Sequence, residues 1–155
     1  MPSWRQQALI EAPVEDVWGA VGDPRNYPSW AREVLEVTGL AEVAKDAQFQ
    51  QVTKMPFVGE EETTFQVEAL EQMREIKLRC QKSGYYSHWV LTEAQDSTFM
   101  DVEIGIDPTA VPYRLYFGAM GKRHFRKITE DSLDGLRRLL SRREPTAAPP
   151  REQAG

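Results

Sequence analysis

Apolar and polar side chains alternate one by one through the middle of the chain, and recur every three to four residues towards its two ends. The alternation is cleanest in Phe65, Val67 and Ala69, in Ile76, Leu78 and Cys80, and in Met100, Val102, Ile104 and Ile106. Their sequence neighbours are largely Gln, Glu, Lys, Arg and Asp. A period of two sends successive side chains to opposite faces of a strand, so these stretches predict an antiparallel sheet with one apolar and one wet face. Six successive strands are predicted: LEVTGLAEVA, QFQQVTKMPFV, ETTFQVEALE, REIKLRCQK, YYSHWVLTEA and TFMDVEIGID. Turn-like KDA, VGEE, EQM, KSG and QDS segments separate them. WRQQALIE (4–11) predicts a further strand ahead of them.

At Ala12 the period changes. Val14, Val17, Trp18 and Val21 fall at i, i+3, i+4 and i+7, one apolar face of a short helix. Pro13 suits its first turn, where a missing N–H costs nothing, and Glu15 and Asp16 sit where the helix dipole favours negative charge. Gly22 ends this helix, and Asp23-Pro24 predicts the cap and first position of a second one. Pro28 pushes Tyr27 towards extended geometry, so the chain bends there. Two short helices at an angle would carry Trp18, Tyr27 and Trp30 inward and leave Arg25, Arg32 and Glu33 on the wet side. Near the other end, Phe125, Ile128, Ser132, Leu136, Leu139 and Leu140 form one stripe of a long amphipathic helix, with Leu133 beside it. Ahead of that helix YRLYFGAMG (113–121) reads as a glycine-bounded apolar loop suited to a lid. The last residues, 144–155, are rich in Pro, Ala and charge and predict a disordered tail to a single domain over 1–143.

The predicted architecture is α+β. A curved seven-stranded antiparallel sheet wraps around a long C-terminal helix, two short helices follow the first strand, and an apolar cavity lies between sheet and helix. The 155 residues suffice for such a core. A formal net charge of −5 gives no general attraction for nucleic acid or anionic membranes. No apolar run approaches the roughly 18 residues of a membrane span, so stable membrane insertion is not expected. Cys80 stands alone and forms no intrachain disulfide, which fits a reducing, cytoplasmic setting. With two histidines, no CxxC and no HExxH, no metal site is expected. The acidic run Glu60, Glu61 and Glu62 reads as a solvated end of a strand, and the basic clusters of the last helix as a solvated face.

APVEDVWGAVGDPRNYPSWAREV, the alternating strands and the final HFRKITEDSLDGLRRLLSRR resemble the START-like (SRPBCC) superfamily, specifically its polyketide cyclase/dehydratase branch with the Bet v 1-like helix-grip fold. The resemblance covers about residues 4–143 and rests most on the alanine-proline helix start, the helical tryptophan and Asp-x-x-x-Tyr-Pro-x-Trp. It implies a hydrophobic small molecule held between helix and sheet, without a cofactor. The lining it implies is Phe65, Val67, Ile76, Leu78, Tyr85, Ser87, Trp89, Met100, Val102 and Ile104 from the sheet. To these it adds Trp30 from the short helices and Tyr113, Tyr116, Phe117, Met120 and Phe125 from the last loop and helix.

Cyclisation or dehydration of a poly-β-ketone requires a proton shuttle and a donor to the developing enolate oxygen. Aromatase/cyclase relatives place an arginine and a hydroxyl inside the cavity on a central strand. Here the corresponding inward positions are Phe65 and Val67, while Arg74 and Arg79 fall out of phase, so that mechanism does not transfer. Tyr85 and Tyr113 remain as hydroxyl donors. His88 alternates with Trp89, so it faces out if Trp89 faces in; in the opposite register it would be a general base. His124, among Lys122, Arg123, Arg126 and Lys127, reads as solvated. Three functions follow from the sequence: a non-catalytic carrier of a polyketide-, lipid- or quinone-like molecule, a cofactor-free cyclase or dehydratase acting on one, or a protein-interaction module. The oligomeric state is left open.

Overall fold

A computed structural model describes residues 3–55, 59–107 and 111–147, and side chains within 3–54, 59–107 and 121–141. The chain runs β1 (Ser3–Ile10), α1 (Val14–Val21), a 3-10 helix (Pro24–Ser29), β2 (Val34–Thr38), β3 (Gln48–Met55), β4 (Gly59–Glu71), β5 (Glu75–Cys80), β6 (Tyr85–Ala94), β7 (Ser97–Ile106) and α2 (Val111–Ala147). All seven strands form one antiparallel sheet in the order β1-β7-β6-β5-β4-β3-β2. This is the helix-grip arrangement, with α2 on the apolar face.

The register follows the alternation. Val67 pairs with Leu78, Ile76 with Trp89, Trp89 with Val102 and Ser87 with Ile104, so the inward side chains meet in continuous bands. The pattern breaks once. A bulge between Val67 and Ala69 sets Leu70, not Ala69, opposite Ile76, and it is Leu70 that packs against the core. One extra residue resets the phase of everything beyond it. The second strand also stops early, at Thr38, because Gly39 turns the chain at φ 81°.

The helices depart from expectation in detail. Pro13 is the N-cap of α1 rather than part of its first turn. The second short helix is 3-10, with Asp23 accepting from the Arg25 backbone N–H at 3.0 Å and Pro28 inside it. Its aromatic residues close the end of α1, whose last carbonyls lack partners within the helix. The Tyr27 hydroxyl donates to the Val21 carbonyl at 2.7 Å, and the Trp30 indole donates to the Ala20 carbonyl at 3.2 Å. The Trp30 ring packs 4.9 Å from Tyr27 and 5.5 Å, edge-on, from Trp89. Trp18 ties α1 to the β4–β5 turn through Gln72 at 3.1 Å.

The predicted loop 113–121 is helical in its backbone, and α2 extends to Ala147, beyond Arg143. Its 37 residues are broken at Gly121, whose φ of 64° and ψ of −163° are non-helical and open essentially to glycine alone. The side chains of Tyr113, Tyr116, Phe117 and Met120 and all of 148–155 lie outside the described residues.

Candidate functional site

The inner face of the sheet is largely filled. Ile76, Leu78, Met100, Val102 and Ile104 are buried against Phe125, Leu133 and Leu136 of α2, and Trp30 and Trp89 fill the space beside them. Side chains this large leave room only where short ones line the sheet. That happens at one end, where Thr53, Thr63, Cys80 and Ser83 surround a cavity of about 430 Å³. Its other walls are Arg32 and Glu33, just ahead of β2, and His124, Lys127, Ile128 and Asp131, just past the break in α2.

The floor is apolar. Phe65 and Cys80 are 3% and 4% exposed, and Tyr85 and Ile128 pack against the same core. Phe49, Phe65, Tyr85 and Phe125 form a chain of ring contacts at 5.8, 6.3 and 6.4 Å beneath and beside it. The rim is charged: Arg32, Lys82 and Lys127 are all exposed. Asp131 binds Lys127 at 3.0 Å and lies 3.9 Å from Arg32, and Lys82 pairs with Glu61.

Glu33 is the chemically distinctive wall residue. It is half-buried, keeping part of its surface towards the cavity. Burial, reinforced by the nearby Asp131 charge, pushes its carboxyl from an ordinary 4.5 up to about 7, although its own backbone N–H works the other way. Burial also holds the Tyr85 phenol well above its usual value, with Glu33 adding to the effect, so this hydroxyl stays a neutral donor. His124 is half-buried, and burial lowers its pKa.

Of the residues predicted to line a cavity, Phe65 and Tyr85 do so. Val67, Ile76, Leu78, Ser87, Trp89, Met100, Val102, Ile104, Phe125 and Trp30 are core instead, because the helix and the short-helix aromatics occupy the space they face. The Trp89 indole N–H has no hydrogen-bond partner among the described residues. His88 lies on the outer face, half-exposed, 2.5 Å from the Glu75 carboxylate. With Trp89 inward, register places His88 away from the cavity, which removes it as a general base there. Arg79 likewise faces out and binds Glu68 at 2.6 Å.

Five residues that read as solvated in the sequence, Arg32, Glu33, Glu61, His124 and Lys127, line the cavity. Glu61 carries a usable signal, since it shares the strand phase of Thr63 and Phe65. Glu33 carries none, because its surroundings come from β3, β4 and α2, all distant in sequence.

A cavity closed by a long C-terminal helix over a seven-stranded antiparallel sheet accompanies a match of residues 1–141 to the family described as polyketide cyclase / dehydrase and lipid transport. The chain belongs to that family. Its helix-grip fold is shared with solved structures. A START superfamily protein from Mycobacterium smegmatis superposes with a TM-score of 0.75 at 16% identity, covering 92% of this chain and 99% of that one. A protein from Thermus thermophilus gives 0.69 at 16% identity, covering 88% and 95%. A Polyketide_cyc-like protein from Corynebacterium glutamicum gives 0.59 at 15% identity, covering 90% and 91%. At such low identity these likenesses speak for the fold alone. No curated protein matches the chain. Membership of the polyketide cyclase / dehydrase and lipid transport family implies a hydrophobic ligand, and no helix among the described residues is long and apolar enough to cross a membrane.

Proposed function

We propose that the protein binds a mostly apolar small molecule in this cavity and releases it chemically unchanged. The observation that carries this reading is the gradient in the wall, from a floor of Phe65, Cys80, Tyr85 and Ile128 to an exposed charged rim. Such a gradient holds a hydrophobic body by removing its surface from water, and about 430 Å³ is in the range of small-molecule pockets. The family's description, which names lipid transport, supports it. Thr63→Trp tests it by filling the cavity from a half-buried wall position. Affinity for the neutral probe N-phenylnaphthylamine should fall at least about tenfold while the thermal midpoint moves little. A folded variant that binds the probe as well as the parent would remove the proposal. Compounds extracted from the protein should also be recovered at the same mass after re-binding.

Glu33 favours a second reading, a cofactor-free cyclase or dehydratase. A carboxyl poised near 7 can take a proton α to a ketone and return it, which an ordinary carboxylate does poorly. In this reading Glu33 removes the α-proton while the Tyr85 phenol donates to the enolate oxygen. Protonated Glu33 then gives its proton to the β-hydroxyl, which leaves as water as the double bond forms. Tyr113 is the other hydroxyl candidate of the sequence. Glu33→Gln should abolish conversion and retain binding, and a Tyr85→Phe/Tyr113→Phe double variant with undiminished turnover would exclude the tyrosines. A parent protein that returns every β-hydroxyketone at unchanged mass would exclude catalysis.

A further inference from the structure

Among the described residues, the charged side chains around the cavity pair with one another, except one. Asp131 takes Lys127 at 3.0 Å and Arg32 at 3.9 Å, and Glu61 takes Lys82. Lys54 meets the wall through its backbone, whose N–H donates to the Glu33 carbonyl at 2.8 Å. Register sets Thr53 opposite Glu61 and Lys54 opposite Glu60, so the Lys54 side chain stands on the other face of the sheet. Glu33 is left. Among the described residues its carboxyl forms no ion pair and accepts only from its own backbone N–H. The field around it is negative. The Asp131 charge acts on it despite two attached cations, and Glu33 in turn acts on the phenols of Tyr85 and Tyr27. The side chains of Arg32, Lys127 and Lys82 are 72%, 72% and 55% exposed, so water and salt screen them. Glu33 is half-buried, where a charge is felt more strongly.

We propose that the cavity takes amphiphiles with a cationic amine head, whose ammonium pairs with Glu33 while the hydrocarbon lies on Phe65, Cys80 and Ile128. This rests on the cavity being the ligand site. The ammonium supplies the counter-charge that Glu33 lacks, in a charge-assisted hydrogen bond withdrawn from water. Tyr85, in the same wall, offers its phenol oxygen as a second acceptor. An anionic head would meet an unpaired carboxylate and cations already engaged, and a neutral head would leave Glu33 without a counter-charge. Glu33 thus filters ligands that the apolar floor would otherwise accept alike. The pairing also depends on pH, because Glu33 must be ionised and its carboxyl titrates at about 7. Besides the charged pairs above, the titratable groups around it are His124 of α2, Cys80 of β5, Tyr85 of β6 and Tyr27 of the 3-10 helix. Burial holds His124 below its ordinary 6.5.

Decylammonium, decanol and decanoate share a chain and differ in the head. Calorimetric titration of the full-length protein at pH 8 in low salt should rank them in that order, with decylammonium at least about tenfold tighter than decanol. At pH 6, where about a tenth of Glu33 is ionised, decylammonium should bind about tenfold more weakly. Glu33→Gln should bring decylammonium and decanol within about threefold of each other and remove the pH dependence. Glu36→Gln takes the same charge from an exposed position outside the wall and should change neither. Decanol or decanoate binding tightest would overturn the amine assignment. So would equal effects of the two substitutions, or a pH dependence that survives Glu33→Gln and therefore belongs to His124. Failure of all three probes to bind would overturn the cavity reading itself.

Discussion

Glu33→Gln is expected to stabilise the protein at pH 8 and to destabilise it slightly, by about 1 kcal/mol, at pH 4. The folded-state pKa of Glu33 is raised from 4.5 to about 7. A carboxyl shifted upward is one whose charged form the fold disfavours. Below about 4.5 it is protonated in both folded and unfolded chains and contributes no pH dependence. Between 4.5 and 7 the unfolded chain releases the proton while the folded one keeps it, so stability falls as pH rises. Above 7 the full penalty is present. A shift of this size corresponds to about 3 kcal/mol. The partly buried amide of the variant carries a desolvation cost of its own, which leaves a net gain of about 2 kcal/mol at pH 8. For a chain of this length that raises the thermal midpoint by about 6 °C. Melting curves of both proteins at pH 4 and pH 8 check it. A variant no better at pH 8 than at pH 4, relative to the parent, would mean that the carboxyl is solvated.

Gly135→Ala is expected to have the opposite effect and to be at least as large. Gly135 lies on the inner side of α2 where the helix crosses the C-terminal end of the 3-10 helix, and a Cβ there would collide with the backbone carbonyl oxygen of Trp30. The obstacle is backbone, so no rotamer change relieves it. Either α2 backs away or Trp30 moves. Trp30 is held by its bond to the Ala20 carbonyl and by ring contacts to Tyr27 and Trp89. Overpacking of this kind costs about 3 kcal/mol or more, a fall of about 9 °C or more in the thermal midpoint. Gly19→Ala is the control. It lies in α1, where a Cβ would meet nothing within 4 Å, and should raise stability by about 0.7 kcal/mol through helix propensity and lost freedom of the unfolded chain. Equal effects at the two glycines would refute the close crossing at Trp30.

The strands and their inward faces were legible because a half-buried strand writes its environment into the sequence at every second position. Ile76, Leu78 and Cys80, or Met100 to Ile106, admit one register. The bulge after Val67 was not legible. Moving the apolar phase from Ala69 to Leu70 asks for one extra residue, and Glu68-Ala69-Leu70 carries no turn signal that would announce it. The tyrosine and tryptophan of the 3-10 helix were legible as inward-facing. That they cap the carbonyls of α1 rather than line a cavity depends on the angle between the two short helices.

By itself, then, the sequence determined the sheet, the grip of a long helix on its apolar face, and the family, since each rests on local periodicity or on a contiguous motif. The position of the cavity and the enclosure of Glu33 were decided only by tertiary structure. An empty volume is what remains after distant side chains have packed. Bulky residues such as Phe125 and Trp30 close the centre of the sheet, and short ones such as Thr63 and Cys80 leave its end open. No stretch of the chain records that difference, because the neighbours whose sizes are compared lie on different elements.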